Sequence, residues 1–188
     1  YLIYNSILMK KYLLILFSFL ALTACRQADN KQSLQGEWRF ALDRDDRGLT
    51  EQWYTRSLTD TIHLPGSLQE QGYGDEVGIE TPWTGQIVDK SWYDSPLYEK
   101  FRQPGNIKVP FWLNPDRHYV GVAWYQKEID IPASWTGNPV QLELERTHWE
   151  TTLFVNGEKV GDNNALQTPH RYMINKTGKL LLSIRVDN

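Results

Sequence analysis

Apolar and polar positions alternate with a period of two through most of the chain. Leu180, Leu182, Ile184 and Val186 fall on one face of a strand, with Ser183, Arg185 and Asp187 on the other. Val140, Leu142 and Leu144 alternate with Gln141, Glu143 and Glu145. Ala123, Tyr125, Ile129 and Ile131 alternate with Trp124, Gln126, Glu128 and Asp130. Leu153 and Val155 point opposite to Thr152 and Phe154. Asn156-Gly157 follows, a pair suited to a type I′ hairpin because both residues tolerate positive φ. Glu158-Lys159-Val160 is then the return strand. Trp38–Leu42 and Thr61–Leu64 also read as strands. Short strands separated by Pro, Gly and Asn, with no long helical stripe, predict an all-β antiparallel sandwich.

One stretch departs from this pattern. From Pro65 to Tyr119 there is little alternation and much Gly, Pro, Trp and Tyr. A connection this long is usually functional or disordered, and its aromatics argue for order. It reads as a loop excursion at one end of the sandwich, where binding loops sit. Trp83, Trp92, Tyr93, Tyr98 and Trp112 lie in it. An indole face can stack on the apolar face of a sugar, or pack the loop against the sandwich. Trp124 and Trp149 read as strand residues with a structural role.

The first 25 residues follow another logic. Met9-Lys10-Lys11 is a positive start, and Tyr12–Leu22 is an apolar run of about ten residues, too short to span a bilayer. Small residues then lead to the single cysteine in Leu22-Thr23-Ala24-Cys25. This order resembles a bacterial lipoprotein signal peptide, cut before Cys25 and lipidated on its thiol. Residues 1–25 are thus expected to be the signal peptide with an upstream extension. Residues 26–34 are expected to be a flexible tether, and 35–188 the folded domain. The expected location is the cell envelope, lipid-anchored, in the periplasm or on the outer-membrane surface.

Charge and motif narrow the chemistry. The net charge of −3 supplies no basic field for nucleic acid. The four histidines, His63, His118, His148 and His170, have no ligand spacing, so no zinc site is expected. Asp43, Asp45 and Gly48 open like a calcium loop, but loop position twelve falls on Tyr54, and a polar turn is the better reading. Glu143 and Glu145 share a solvent face and read as a solubilising edge. There is no Gly-x-Ser-x-Gly elbow and no phosphate-binding glycine loop. No catalytic residue, metal or cofactor is expected within this chain.

The order of several motifs resembles a known family. Gly36-Glu37-Trp38-Arg39-Phe40, His63-Leu64-Pro65-Gly66-Ser67 and Gly121–Glu128 are similar to successive segments of the N-terminal sugar-binding domain of glycoside hydrolase family 2. Leu153–Gly161 resembles that family's VNGxxVG hairpin, and Thr168-Pro169-His170 and Leu182–Asn188 resemble the segments after it. Thr81–Gly85 through Arg102–Asn106 resembles an insertion of Bacteroidetes-type members. The resemblance implies a jelly-roll sandwich that precedes an immunoglobulin-like domain and a barrel with two catalytic glutamates. It implies a retaining glycosidase acting on glycans, with the barrel missing here, so that this piece alone is inactive. It makes the excursion the sugar-contacting element, with Trp83, Gln86 and Trp92 as candidate substrate-binding residues. Two other readings use the same sandwich: a stand-alone carbohydrate-binding lipoprotein, and an adhesive module whose aromatics are all core.

Overall fold

The computed structural model describes residues 30–81, 91–108 and 116–188. Residues Gln35–Asn188 make one compact unit. Among the described residues its strands are β1 (Gly36–Asp43), β2 (Asp60–Leu64), β3 (Asp75–Glu76), β4 (Arg117–His118), β5 (Val122–Ile131), β6 (Val140–Leu144), β7 (Glu150–Val155), β8 (Glu158–Asn163), β9 (His170–Ile174) and β10 (Gly178–Asp187). Six form an antiparallel sheet in the order β2-β1-β5-β10-β7-β8, while β6 pairs with β9 and β3 with β4. Among the described residues helix is confined to one turn, α1 (Ser91–Asp94), and short 3-10 segments. The all-β antiparallel sandwich expected from the period-two pattern is the observed fold.

Register decides which residues share a face. Phe40 stands opposite Tyr125, Tyr125 opposite Ile184, and Ile184 opposite Leu153. Phe40, Ile184 and Leu153 are buried; side chains of this size each contribute about 1.5–3 kcal/mol on burial. Near β7 this face is covered by the β6–β9 pair. His170, with no exposed surface, anchors that contact. Its Nε2 donates to Ala165 O at 2.8 Å, so Nδ1 accepts from the Thr151 hydroxyl at 2.6 Å. The Tyr172 hydroxyl meets the same Thr151 oxygen at 2.6 Å.

The other face of the sheet was expected to be the polar row of β5 and β10. It is buried as well, because the chain between β1 and β2 crosses it. Trp124 and Gln126 have no exposed surface, Ser183 is 1% exposed and Arg185 7%. Gln126 uses its whole amide. Its Oε1 accepts from Leu58 N–H at 3.0 Å, and its Nε2 donates to Trp53 O, Arg56 O and Ser183 Oγ at 2.9–3.1 Å. Tyr54 stacks on Phe154 at 4.1 Å between centroids, 5° from parallel. Such a ring pair adds about 0.5–1.5 kcal/mol beyond its buried area.

Asp43 sets the turn that starts this crossing. Its carboxylate accepts from Arg47 N–H at 2.8 Å, Gly48 N–H at 2.7 Å and Trp124 Nε1–H at 2.9 Å. The polar turn read from Asp43, Asp45 and Gly48 is therefore a carboxylate satisfied by N–H donors. Gly48 is required by space: a Cβ there would lie 2.2 Å from Trp124 Nε1 and 2.5 Å from Asp43 Oδ2. The Asn156-Gly157 hairpin also forms, with φ of 51° and 81°. Asn156 Oδ1 accepts from Leu181 N–H at 2.7 Å, which ties the turn to β10.

Candidate functional site

The two ends of the excursion meet at a narrow neck. β3 pairs with β4, setting Asp75 opposite His118 and Glu76 opposite Arg117. Arg44, just after β1, donates to Asp75 Oδ2 at 3.0 Å, and Arg117 faces Glu76 at 3.6 Å. The Arg44 guanidinium holds the Asp75 carboxyl below the usual carboxylate range, chiefly through this hydrogen bond. It also sits 5.5 Å over the Tyr119 ring. Burial pushes the Tyr119 hydroxyl up, and that hydroxyl donates to Val122 O at 2.6 Å. Close packing is built in at Gly74, whose φ is +110° and where a Cβ would lie 2.8 Å from His118 O. The ion pairs are largely exposed, so they are weak and screened by salt.

Beyond the neck, the described part of the excursion is organised around Arg102. Ser95 caps a 3-10 segment (Pro96–Phe101): its hydroxyl accepts from Leu97 N–H at 3.4 Å, and Pro96 takes a position where no N–H is needed. Arg102 turns back and donates to the carbonyls of Tyr93, Asp94 and Ser95, with its guanidinium 5.7 Å from the Tyr93 ring centre. One cation thereby meets the Tyr93 and Asp94 carbonyls at the C-terminal end of α1, and also Ser95 O, which accepts from Tyr98 N–H as well. Asn106 Nδ2 donates to Lys100 O at 2.7 Å and closes the loop. A shallow groove of about 630 Å³ runs along the outside, lined by Pro96, Leu97, Glu99, Lys100 and Gln103. None of these five described residues is aromatic.

The residues singled out for sugar contact distribute unevenly. Trp83 and Gln86 lie outside the described residues, as does Cys25. Trp92 is on α1, beside the Arg102 knot, and its side chain is outside what is described. Tyr93 is 8% exposed and packs inward, and Tyr98 lies 6.3 Å from Phe101. These two tyrosines serve the loop's own packing. Trp124 is core, as expected. Trp149 is not: it precedes β7 and is 41% exposed. Glu143 pairs with Arg171 at 2.7 Å on the outer surface. Among the described residues no group of three or more His, Cys, Asp or Glu is placed to hold a metal ion. No described helix is long and apolar enough to cross a membrane.

Sequence reasoning missed the arginines. Arg44 and Asp75 are 31 residues apart, and nothing in their spacing announces a pair. Arg102 is nine residues from Tyr93 in a stretch without periodicity. The burial of Ser183 and Arg185 did have a signal. Trp124 and Phe154 stand on the rows that were read as polar, and two large rings on one outer face need a cover.

The model of the glycosyl hydrolases family 2 sugar binding domain matches residues 31–90. A β-glucuronidase of Paenibacillus borealis is 25% identical over 132 residues, 70% of this chain and 16% of that protein. A β-galactosidase of Halalkalibacterium halodurans is 26% identical over 148 residues, 76% of this chain and 12% of that protein. The crystal structure of Ruminococcus gnavus β-glucuronidase superposes with a TM-score of 0.56 at 18% identity, over 84% of this chain and 21% of the other. That likeness concerns the fold. The chain thus spans 16% of the length of the Paenibacillus relative and 12% of the Halalkalibacterium one.

Proposed function

We propose that this chain, whose residues 31–90 match the model of the glycosyl hydrolases family 2 sugar binding domain, is the N-terminal part of an exported glycosidase that hydrolyses O-glycosidic bonds of glycans. In this reading the catalytic barrel lies beyond Asn188, and the domain contributes binding and positioning of the sugar. The observation that carries the reading is the agreement of the family model with glycosidase relatives that match most of this chain. In this reading Trp83, Gln86 and Trp92 contact substrate, and Trp92 stands on α1, whose Tyr93 and Asp94 carbonyls Arg102 holds.

The same proposal places the protein at the cell envelope. Cys25 carries the lipid, residues 26–34 are the tether, and the domain begins at Gln35. Metabolic labelling with an alkyne fatty acid tests the anchor: label is expected on the wild type and absent from Cys25→Ser. Label retained by the variant contradicts it. Activity is tested with chromogenic β-glucuronides and β-galactosides. The product of the uninterrupted gene is expected to turn over one of them, and the 188-residue chain none. Turnover by the short chain would contradict the placement of the catalytic groups. A reading frame that stops at codon 188 would favour the stand-alone carbohydrate-binding lipoprotein.

A further inference from the structure

Among the described residues, β2 and β8 are the two outer strands of the six-stranded sheet. The outward N–H and C=O groups of such a strand are a template for pairing with another chain. β8 carries features that discourage this. Its register with β7 shifts at Leu153/Phe154, and Glu158, Lys159 and Asp162 put charge along it. β2 pairs with β1 without a shift over 36–40, and it carries one carboxylate, Asp60, and no lysine or arginine.

Side chains close β2 instead. In an antiparallel ladder alternate residues turn both backbone groups to the same side. His63 turns its pair away from β1, and the Gln71 amide meets both. Its Oε1 accepts from His63 N–H at 2.8 Å, and its Nε2 donates to His63 O at 2.9 Å. Two residues back, Thr61 O accepts from the Tyr73 hydroxyl. One amide thus supplies the donor and the acceptor that a residue of a neighbouring strand would supply. The segment carrying these side chains folds back on itself. Ser67 Oγ accepts from Glu70 N–H at 3.2 Å, and Tyr73 N–H donates to Leu68 O at 2.9 Å. The Tyr73 ring packs on Phe40, with 4.8 Å between centroids. Gly66 leaves room for the amide: a Cβ there would lie 2.7 Å from Gln71 Nε2 and 2.9 Å from His63 O.

We propose that residues 66–73 are a strap that shuts the β2 edge against a second copy of this chain, with Gln71 as its latch. The excluded occupant follows from the strand itself. A twofold axis beside Ile62 would set Thr61 of each copy opposite His63 of the other. These are the residues whose backbone groups face outward, so each such pair would exchange both of its hydrogen bonds. In that register Asp60 stands opposite Leu64, and no like charges meet. The Gln71 amide occupies the same row and competes with the second copy directly.

Two variants of the 188-residue chain test this. Gln71→Leu keeps the bulk of the side chain and removes both bonds, while Gly66→Ala keeps the amide and displaces it. In dilute solution, amide exchange followed by NMR is expected to quicken about tenfold at His63 and to stay unchanged at Trp38 and Ile62. Sedimentation velocity from micromolar to millimolar concentration is expected to show a monomer for the wild type and a growing dimer for both variants. Exchange at His63 should slow again as that dimer forms. A monomer in both variants overturns the proposal. So does a dimer in which His63 stays fast, because the second copy has then docked elsewhere, and so does equal association of the wild type. If one variant unfolds, the other decides. Loss of the near-ultraviolet circular dichroism of both would make the amide part of the core and not a latch, and also overturns it.

Discussion

The connection between β1 and β2 and the neck of the excursion both fasten irregular chain to the same sandwich, by opposite means. The connection is held by an uncharged amide, Gln126, with no exposed surface and four hydrogen bonds. The neck is held by Arg44–Asp75 and Arg117–Glu76, whose side chains are between 35% and 87% exposed. In a buried site a missing partner leaves a desolvated polar group, at about 1–3 kcal/mol each. At an exposed site water replaces the partner. The connection is therefore part of the core, whereas the neck is an attachment that solution conditions tune.

Substitutions at the two places should separate them. Gln126→Leu removes a partner from Leu58 N–H, Arg56 O, Trp53 O and Ser183 Oγ, of which the last two keep bonds to Arg56 N–H and Tyr54 O, and is expected to cost about 3–5 kcal/mol in urea unfolding. A loss below about 1 kcal/mol would remove the hub from the account. Gly48→Ala drives a methyl into Trp124 and Asp43, and a loss of about 2 kcal/mol is expected from overpacking. Arg44→Ala at the neck should leave the unfolding midpoint unchanged. It should instead raise hydrogen exchange at 75–76 and 117–118 without raising it at Leu58.

Acid and salt sharpen the contrast further. The folded Asp75 carboxyl titrates below its ordinary range because of Arg44. Its contribution is present above that range and is lost as pH falls through the folded value. Exchange at the neck should thus rise below about pH 4 before exchange at Leu58 does, since Gln126 and Ser183 carry no titrating group. Molar salt at neutral pH should act on the neck in the same direction, more weakly. Neck and hub loosening together under either condition would show that they are one unit.

The strands with apolar residues on one face were legible in the sequence. β1, β2, β5, β7, β8 and β10 contain the stretches read as strands, β6 ends one residue before Glu145, the last residue read into it, and the Asn156-Gly157 turn joins the pair it was assigned to. β9 escaped because its inward residues include His170 and its outward ones Met173, which inverts the usual pattern. β3 and β4 are two residues each and have no period to detect. The candidate site was legible only as composition. Alternation reports burial against one sheet, whereas the excursion is held by guanidinium-to-carbonyl bonds and ion pairs between residues distant in sequence.

The central claim is that this domain meets sugar through the excursion. Titration of the 188-residue chain with glucuronide- and galactoside-terminated oligosaccharides, followed by tryptophan fluorescence, tests it most directly. A saturable change is expected, lost in the Trp83→Ala, Trp92→Ala double variant while its unfolding midpoint stays within error of the wild type. An unchanged response in that variant, or no response across the whole glycan set, would contradict the claim.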